Sequence, residues 1–191
     1  MEDRVKIAYL IERLGNLLRA GERSQGIIDG LQPVHIQMLG YLSICNRYSD
    51  TPAGVTDFVG ATKGTTSQSL GVLERKGYIR KKSDKRDRRV VRLELTARGK
   101  RFVETGFPPP DFVAALGGIK TRERGELSRL LTELLVRLQR NNRSRMFGVC
   151  HTCRHFKRDG LGETHQCGLT LEPLTEGESM KICREHELPA A

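Results

Sequence analysis

The chain has 191 residues, a length that allows one domain, alone or with an appended segment, and that can bury a core without disulfides. Its formal net charge is +10, and the excess positive charge lies before Gly148, where 28 basic residues outnumber 16 acidic ones. This charge favours nucleic acid as a partner, with an anionic membrane second, and the lack of an apolar run of about 20 residues excludes a membrane-spanning segment.

Residues 3–20 predict the first helix, because their apolar side chains recur at spacings of three, four and seven, the period of one helical face. Gly21 is the expected end of this helix, and Gly26–Gly30 the expected loop after it. Met1–Arg4 lacks the apolar core of a signal peptide, so we expect a cytoplasmic protein. A second helix fits Pro33–Asn46, since proline is tolerated in a first helical turn.

Two short helices are expected next, the second running from an N-cap at Thr62 to about Lys76. Leu70 and Leu73 would pack this helix onto the one before it, while its first two turns are polar. A helix in the major groove of B-DNA reads base edges with polar side chains near its N-terminal end. The alternative is an ordinary amphipathic helix with a solvated face. The predicted DNA contacts are Thr62, Lys63, Thr65, Thr66, Ser67, Gln68 and Ser69.

The segments Tyr78–Lys82 and Val90–Leu95 predict a β-hairpin, since both are β-prone and a short charged connection joins them. In the second segment, Val91, Leu93 and Leu95 are expected to share one face. Six basic side chains crowd between positions 81 and 89, a density that is self-repulsive unless an anion lies against it. Such a tip can follow a DNA backbone or enter a minor groove. The predicted contacts are Lys85, Arg86 and Arg88, with Asp84 and Asp87 pairing to neighbouring arginines.

Three helical segments are expected after the hairpin, the second of them at Asp111–Leu116. Thr96 is a candidate cap for a helix from Ala97 to Thr105, and the consecutive prolines 108–110 interrupt the helical pattern. Thr121 starts a long final helix. Its apolar stripe consists of Leu127, Leu130, Leu131, Leu134, Leu135 and Leu138.

At this point the sequence resembles the MarR family of winged-helix regulators, over about residues 5–140. The most specific part is Leu73–Arg80, followed by Asp84–Arg89 and Leu93–Gly99. The wing of that family resembles D-x-R-D-x-R followed by L-x-L-T-x-x-G, and every one of those positions is filled here.

The resemblance implies a mainly α fold with a small β-hairpin wing, that is, a winged helix-turn-helix domain over residues 1–145. It also implies a homodimer, formed by the N- and C-terminal helices, that binds a pseudo-palindromic operator in double-stranded DNA. Family members often bind a small anionic or phenolic effector between the dimer helices and the DNA-binding lobe. His35 and Cys45 lie near where such a pocket would form, although both residue types are more commonly buried for structural reasons.

The remaining residues, 146–191, predict a cysteine-rich metal-binding tail. The spacing is Cys150-x2-Cys153-x13-Cys167-x15-Cys183, with His186 three positions after the last cysteine. A two-residue gap lets two thiolates reach one ion, and metal binding can offset the entropy of closing the longer loops. The segment is poor in apolar residues, so it could hardly fold by burial alone.

Zinc is the expected metal, held by Cys150, Cys153, Cys167 and Cys183, because it needs no assembly machinery and His186 also fits it. A Cys3His site that uses His186 is therefore an open alternative. An iron–sulfur cluster is another, since one tight pair with two distant cysteines resembles four-iron spacings. The cluster would make the protein a redox or iron sensor.

The sequence therefore predicts a transcriptional regulator, most simply a repressor. It does not predict an enzyme, because four thiolates leave no open coordination position and no other catalytic constellation is present. The remaining alternative is a protein-interaction module that docks through the tail.

Overall fold

The computed structural model of the protein describes residues 2–141, 146–158 and 164–189. The chain is mostly helical with a two-stranded hairpin, which confirms the predicted fold class. The helices are α1 (Asp3–Asp29), α2 (Pro33–Ile44), α3 (Pro52–Val59), α4 (Lys63–Arg75), α5 (Ala97–Gly106), α6 (Pro110–Gly117), α7 (Thr121–Asn141) and α8 (Glu176–Ser179). The strands are β1 (Ile79–Ser83), β2 (Val91–Leu95), β3 (Gly148–Val149), β4 (Phe156–Lys157), β5 (Thr164–Cys167), β6 (Pro173–Thr175) and β7 (Ile182–Cys183).

Helix α1 is longer than predicted. It continues through Gly21 to Asp29, and the chain turns only at Gly30, whose φ of 61° is left-handed. Position 21 requires a glycine because a Cβ there would lie only 2.9 Å from the Cβ of Pro109. The prediction that Gly21 ends the helix was therefore wrong, since this glycine serves helix packing instead of chain reversal.

Helices α2, α3 and α4 pack with the hairpin around one core. Thr51 and Thr62 cap α3 and α4 through their side-chain oxygens, which accept hydrogen bonds from Gly54 N and Thr65 N. The cap predicted at Thr62 is thus confirmed. The fully buried apolar side chains include Ile36, Met38, Leu39, Tyr41, Val55, Leu70, Leu73, Tyr78 and Ile79.

The hairpin of β1 and β2 is antiparallel, with Ile79 opposite Leu95 and Ser83 opposite Val91. Leu93 is buried and Leu95 half-buried, whereas Val91 is exposed because it lies at the far end of the hairpin, beyond the core. We call residues 84–90, which connect the two strands, the wing tip.

The tail packs on the helix-turn-helix. Phe147 makes edge contacts with the rings of Tyr41 and Phe58, at centroid distances of 5.9 and 5.3 Å. Strand β7 forms a bridge beside Cys45, and Ile182 O accepts a hydrogen bond of 2.9 Å from Asn46 N. The boundary predicted after residue 145 borders residues outside the described ranges.

Helices α1 and α7 leave their apolar faces uncovered in the single chain. The large exposed side chains of α1 are Val5, Ile7, Tyr9, Leu10, Ile11, Leu14 and Leu17, and those of α7 are Leu127, Leu130, Leu131, Leu135 and Leu138. Neither helix, nor any other in the described ranges, is long and apolar enough to span a membrane.

Candidate nucleic-acid interface and cysteine pocket

The start of helix α4 presents a polar surface. Lys63, Thr65, Ser67 and Gln68 are exposed there. Thr62 is also exposed, but its oxygen accepts from Thr65 N at 3.1 Å and lies 3.0 Å from Thr65 Oγ1. Most of the predicted contact residues of this helix therefore lie on a surface that DNA could reach.

Thr66 and Ser69 are exceptions, because they are buried, with exposed fractions of 1% and 7%. They lie on the inner face of α4 with Leu70 and Leu73, at the spacing of one helical side. The assignment of Thr66 and Ser69 as DNA contacts was therefore wrong. From the sequence alone, their small hydroxyl side chains did not indicate whether they lie on the inner or the outer side of helix α4.

Asp84 organises the wing tip. Its Oδ1 accepts hydrogen bonds from the backbone N–H groups of Arg86 and Asp87, at 2.8 and 3.1 Å, and its Oδ2 accepts from Arg92 Nε at 2.7 Å. The pKa of Asp84 is lowered to about 2 by these donors, of which the Arg86 backbone N–H has the largest effect. Asp84 thus fixes the turn from which the wing arginines project.

The cations of the wing tip differ in their partners. Arg89 pairs with Asp87 at 2.8 Å, as predicted for that aspartate. Arg86 pairs instead with Glu172 of the tail. Lys85 and Arg88 are exposed, and within the described ranges neither side chain makes an ion pair. Lys85 and Arg88 are therefore the wing-tip cations most open to an external anion.

A groove joins the start of α4 to the base of the wing. Its lining includes Lys63 and Ser67 of α4, Lys81 of β1, and Arg184 of the tail. Lys81 also pairs with Glu74 at 2.8 Å, which ties strand β1 to the end of α4. The polar helix start and the basic hairpin thus border the same surface.

The four cysteines of the tail line one pocket. Cys150, Cys153, Cys167 and Cys183 meet there, together with side chains of the helix-turn-helix such as Asn46. None of the four forms a disulfide bond. The cavity volume is about 30 Å³, which is room for a water-sized object.

The thiols influence one another. Burial raises the pKa of Cys150 to about 12, and Cys183, Cys167 and Cys153 add to that rise. Burial also raises the pKa of Cys183. Within the described ranges, no three His, Cys, Asp or Glu side chains stand close enough to hold a metal ion as they are. The metal site therefore stays a prediction, with its four candidate ligands around one pocket.

His186 lies apart from the cysteine pocket. Its Nε2 is 2.9 Å from Thr152 Oγ1, and its ring packs where a Cβ on Gly148 would be. His155 is the histidine that lines the pocket, while His165 Nε2 lies 2.7 Å from Glu176. His186 therefore does not line the pocket of the four cysteines, and its buried Nδ1 has no partner within the described ranges.

His35 in α2 and Cys45, directly after this helix, could have marked an effector site, but both are buried. His35 is buried, and its Nδ1 accepts from Gln32 N at 3.1 Å at the start of the helix. Cys45 is buried, and its pKa is raised to about 12, mainly by burial. A protonated, covered thiol is a poor nucleophile, so Cys45 has the features of a core residue.

Sequence reasoning missed the residues that join the tail to the helix-turn-helix. Glu172 contacts Arg86, Arg47 and Tyr48, and Arg184 contacts Asp57. Nothing in the spacing of these residues marks them. The one pointer was charge, since the tail is acidic overall and the preceding region is basic.

Comparisons with known proteins agree with this geometry. The sequence profile of the MarR family matches residues 29–90, which contain the helix-turn-helix and most of the wing. The transcriptional repressor MprA of Escherichia coli K12 is 26% identical over 131 residues, covering 68% of this chain and 70% of the repressor.

Solved structures of similar fold include a protein bound to DNA and a transcriptional regulator. Streptococcus pneumoniae FabT in complex with DNA is 26% identical, with a TM-score of 0.51, and the match covers 72% of this chain and 98% of FabT. A MarR-family regulator from Silicibacter pomeroyi has a TM-score of 0.58 at 23% identity, covering 69% of this chain and 88% of that one.

Proposed function

We propose that this chain, a member of the MarR family of winged-helix transcriptional regulators, binds specific double-stranded DNA as a homodimer and acts as a repressor. The observation that carries the proposal is the common surface formed by the start of α4 and the basic hairpin. The family and its named relatives are regulators of transcription, which leaves an enzymatic role without support.

The exposed side chains of α4 suit a role in reading bases. An α-helix fits the major groove of B-DNA, and residues at its N-terminal end reach base edges. Lys63, Thr65, Ser67 and Gln68 hold those positions here. Thr62, already engaged with Thr65, is suited to positioning the helix start. Lys85, Arg86 and Arg88 of the wing tip would contact the phosphate backbone or the minor groove.

The homodimer is proposed from the uncovered faces of α1 and α7. Twelve large apolar side chains on these two helices are exposed in the single chain. Exposing a contiguous apolar surface to water is unfavourable, and a second copy would bury it. Two-fold symmetry would then present two copies of α4 to successive turns of a pseudo-palindrome.

Repression is proposed from the similarity to MprA, which is named a transcriptional repressor. A bound dimer on a promoter excludes other proteins from the same DNA, and this needs no further activity of the chain. The family resemblance also implies a small-molecule effector, for which no pocket is assigned.

The tail is proposed to hold a metal through Cys150, Cys153, Cys167 and Cys183. Thiolates bind zinc tetrahedrally at about 2.3 Å, and one zinc ion suits the small cavity better than a larger cluster does. The role is structural or sensory, and an iron–sulfur cluster with a redox or iron-sensing role is the alternative.

Selection of bound sequences from a random pool of duplex DNA tests the regulator proposal. The expected result is a pseudo-palindrome whose half-sites lie about one helical turn apart. Enrichment of unrelated sequences, or of a single half-site bound by a monomer, would contradict it.

Elemental analysis and an absorption spectrum of anaerobically purified protein test the metal. About one zinc per chain in a colourless protein supports the zinc site, whereas a brown protein with charge-transfer absorbance indicates an iron–sulfur cluster. A purified protein that contains neither zinc nor iron would contradict the proposed metal site.

A further inference from the structure

We propose that zinc in the cysteine pocket anchors the tail to the helix-turn-helix and holds Glu172 against Arg86 of the wing. The zinc-loaded protein then binds DNA more weakly than the zinc-free protein. The inference rests on the proposed function, since it requires both DNA binding and a metal in the tail. It adds a direction of regulation and the residues that transmit it.

The pocket is built from both parts of the chain. Asn46, which follows helix α2, is 1% exposed and lines the pocket with the four cysteines. Its Oδ1 accepts from Tyr48 N at 3.1 Å and from Ser49 Oγ at 2.7 Å. Its Nδ2 is buried, has no oxygen or nitrogen acceptor within the described ranges, and faces the sulfur of Cys183.

A buried amide donor that faces neutral thiols is costly to leave unpaired. Thiols lose their protons when they bind a metal, and the resulting thiolates accept hydrogen bonds. Metal binding would therefore turn the weak acceptor that Asn46 Nδ2 faces, the Cys183 thiol, into a strong one. This group points to an anionic sulfur in the pocket independently of the spacing of the cysteines.

Cys183 is attached to the helix-turn-helix on both of its sides. On one side, Ile182 O accepts from Asn46 N at 2.9 Å. On the other, Arg184 N donates to Ser49 Oγ at 2.9 Å. A metal ligated by Cys183 would thus fix the tail to the loop between α2 and α3.

Cys167 is joined to Glu172 by a tight turn. Cys167 N donates to Glu172 O at 2.9 Å, and Leu171 N donates to Cys167 O at 2.8 Å. A metal held by Cys167 would therefore also hold the backbone of Glu172. The metal ligand thus sets the position of the carboxylate through a hydrogen-bonded turn of six residues, Cys167–Glu172.

Glu172 projects toward the wing. Its Oε1 pairs with Arg86, and its Oε2 lies 3.2 Å from Arg47 and accepts from Tyr48 OH at 2.9 Å. The side chain of Glu172 is only 20% exposed, whereas that of Arg86 is 77% exposed. The carboxylate is therefore the fixed partner, and Arg86 is the cation that it restrains.

This restraint opposes DNA binding in two ways. Arg86 must leave Glu172 to contact a phosphate, and the carboxylate then remains close to the polyanion. Without metal, the tail loses the centre that joins the loops of Cys167 and Cys183, so Glu172 is held less firmly against Arg86. Exposed ion pairs are weak, so we expect the metal to change DNA affinity by roughly two- to fivefold at low salt.

The test compares zinc-loaded and chelator-treated full-length protein under reducing conditions, with fluorescence anisotropy on a labelled duplex of about three helical turns and random sequence. Zinc-free protein should bind roughly two- to fivefold tighter, and its affinity should fall more steeply with salt, by about one phosphate contact. Zinc-loaded Glu172→Gln should match zinc-free wild type and no longer respond to zinc.

Glu176→Gln is the matched control, because it makes the same charge change in the tail while Glu176 pairs with His165, which lines neither the wing nor the cysteine pocket. It should keep the zinc response. Zinc that binds stoichiometrically without changing affinity, or that tightens DNA binding, would overturn this inference alone. If zinc does not bind, if an iron–sulfur cluster occupies the site, or if DNA does not bind, this inference fails together with the corresponding part of the proposed function.

Discussion

Arg184 of the tail forms an ion pair with Asp57 of helix α3, with both Nε and Nη2 of the arginine 2.7 Å from Oδ2 of the aspartate. The two residues are 127 positions apart in the sequence. Arg184 also lines the groove that holds Lys63 and Ser67 of helix α4. The tail is therefore part of the surface around the helix-turn-helix.

Removing this ion pair should loosen the tail. Because both side chains are largely buried, Arg184→Gln should raise the hydrogen-exchange rate of the Asn46 amide, which bonds to Ile182, by about tenfold. Hydrogen exchange with peptide-level mass spectrometry measures the change. Arg154→Gln, which breaks an exposed pair within the tail, should leave that amide unaffected. Equal effects of the two variants on the Asn46 amide would contradict the role of the Arg184–Asp57 pair in holding the tail.

The exposed face of helix α7 predicts the oligomeric state. Leu131→Glu places a charge where a second copy would bury an apolar side chain, so light scattering after size exclusion should show a shift from dimer to monomer. Thr132→Glu makes a similar change on a neighbouring side of the helix and should leave the dimer intact. A wild-type monomer, or a Leu131→Glu dimer of undiminished affinity, would refute the dimer interface.

Gly54 allows helix α3 to approach the backbone closely. A Cβ at this position would collide with Ser49 O and would lie 2.8 Å from Tyr41 Oη. Gly54→Ala should therefore lower the free energy of unfolding by roughly 2 kcal/mol, as measured by urea denaturation. Gly125→Ala is the control, since a Cβ there meets no described atom within 4 Å. It should stabilise helix α7 by about 0.5 kcal/mol, and a similar loss in both variants would be evidence against the packing described.

The buried imidazole of His35 is expected to make the folded protein less stable in acid. Its pKa is lowered, first by burial and then by Lys76, so the unfolded chain takes up a proton near pH 6.5 while the folded protein does not. The unfolded state then binds more protons, and the free energy of unfolding falls as the pH drops below about 6.5.

His35→Gln keeps a side chain that can reach the start of the helix and removes this titration. Urea midpoints at about pH 7.5 and 5.5 should therefore differ less for the variant than for wild type. An equal difference would exclude His35 as a source of the pH dependence.

Local chemistry made the helix-turn-helix and the wing predictable. Thr62 caps α4 because a hydroxyl before a helix accepts from the backbone N–H three residues later, and Thr96 caps α5 in the same way. The order of helices and hairpin likewise depended on periodicity and turn residues that act over a few positions.

Long-range packing was not predictable from the sequence. Gly21 indicated a helix end, yet it packs against Pro109, and Thr66 shares the polarity of exposed residues, yet it is buried. The contacts of Glu172 join residues that periodicity cannot relate, since they lie in different elements far apart in the chain. The cysteines were identified by type and spacing, whereas the part of Asn46 in their pocket required the structure.

The decisive measurement for the DNA-binding surface is the affinity of full-length, zinc-free protein for duplex DNA as a function of salt, with wild type compared with the Arg86→Ala and Arg88→Ala double variant. Wild type should bind duplex DNA with an affinity that falls steeply with salt, and the double variant should bind more weakly, with a log–log salt slope smaller by about two. An Arg154→Ala variant, altered in the tail away from the wing, should match the wild-type salt slope. Unchanged affinity and slope in the double variant would contradict the assignment of the wing tip and the start of α4 as a DNA-binding surface.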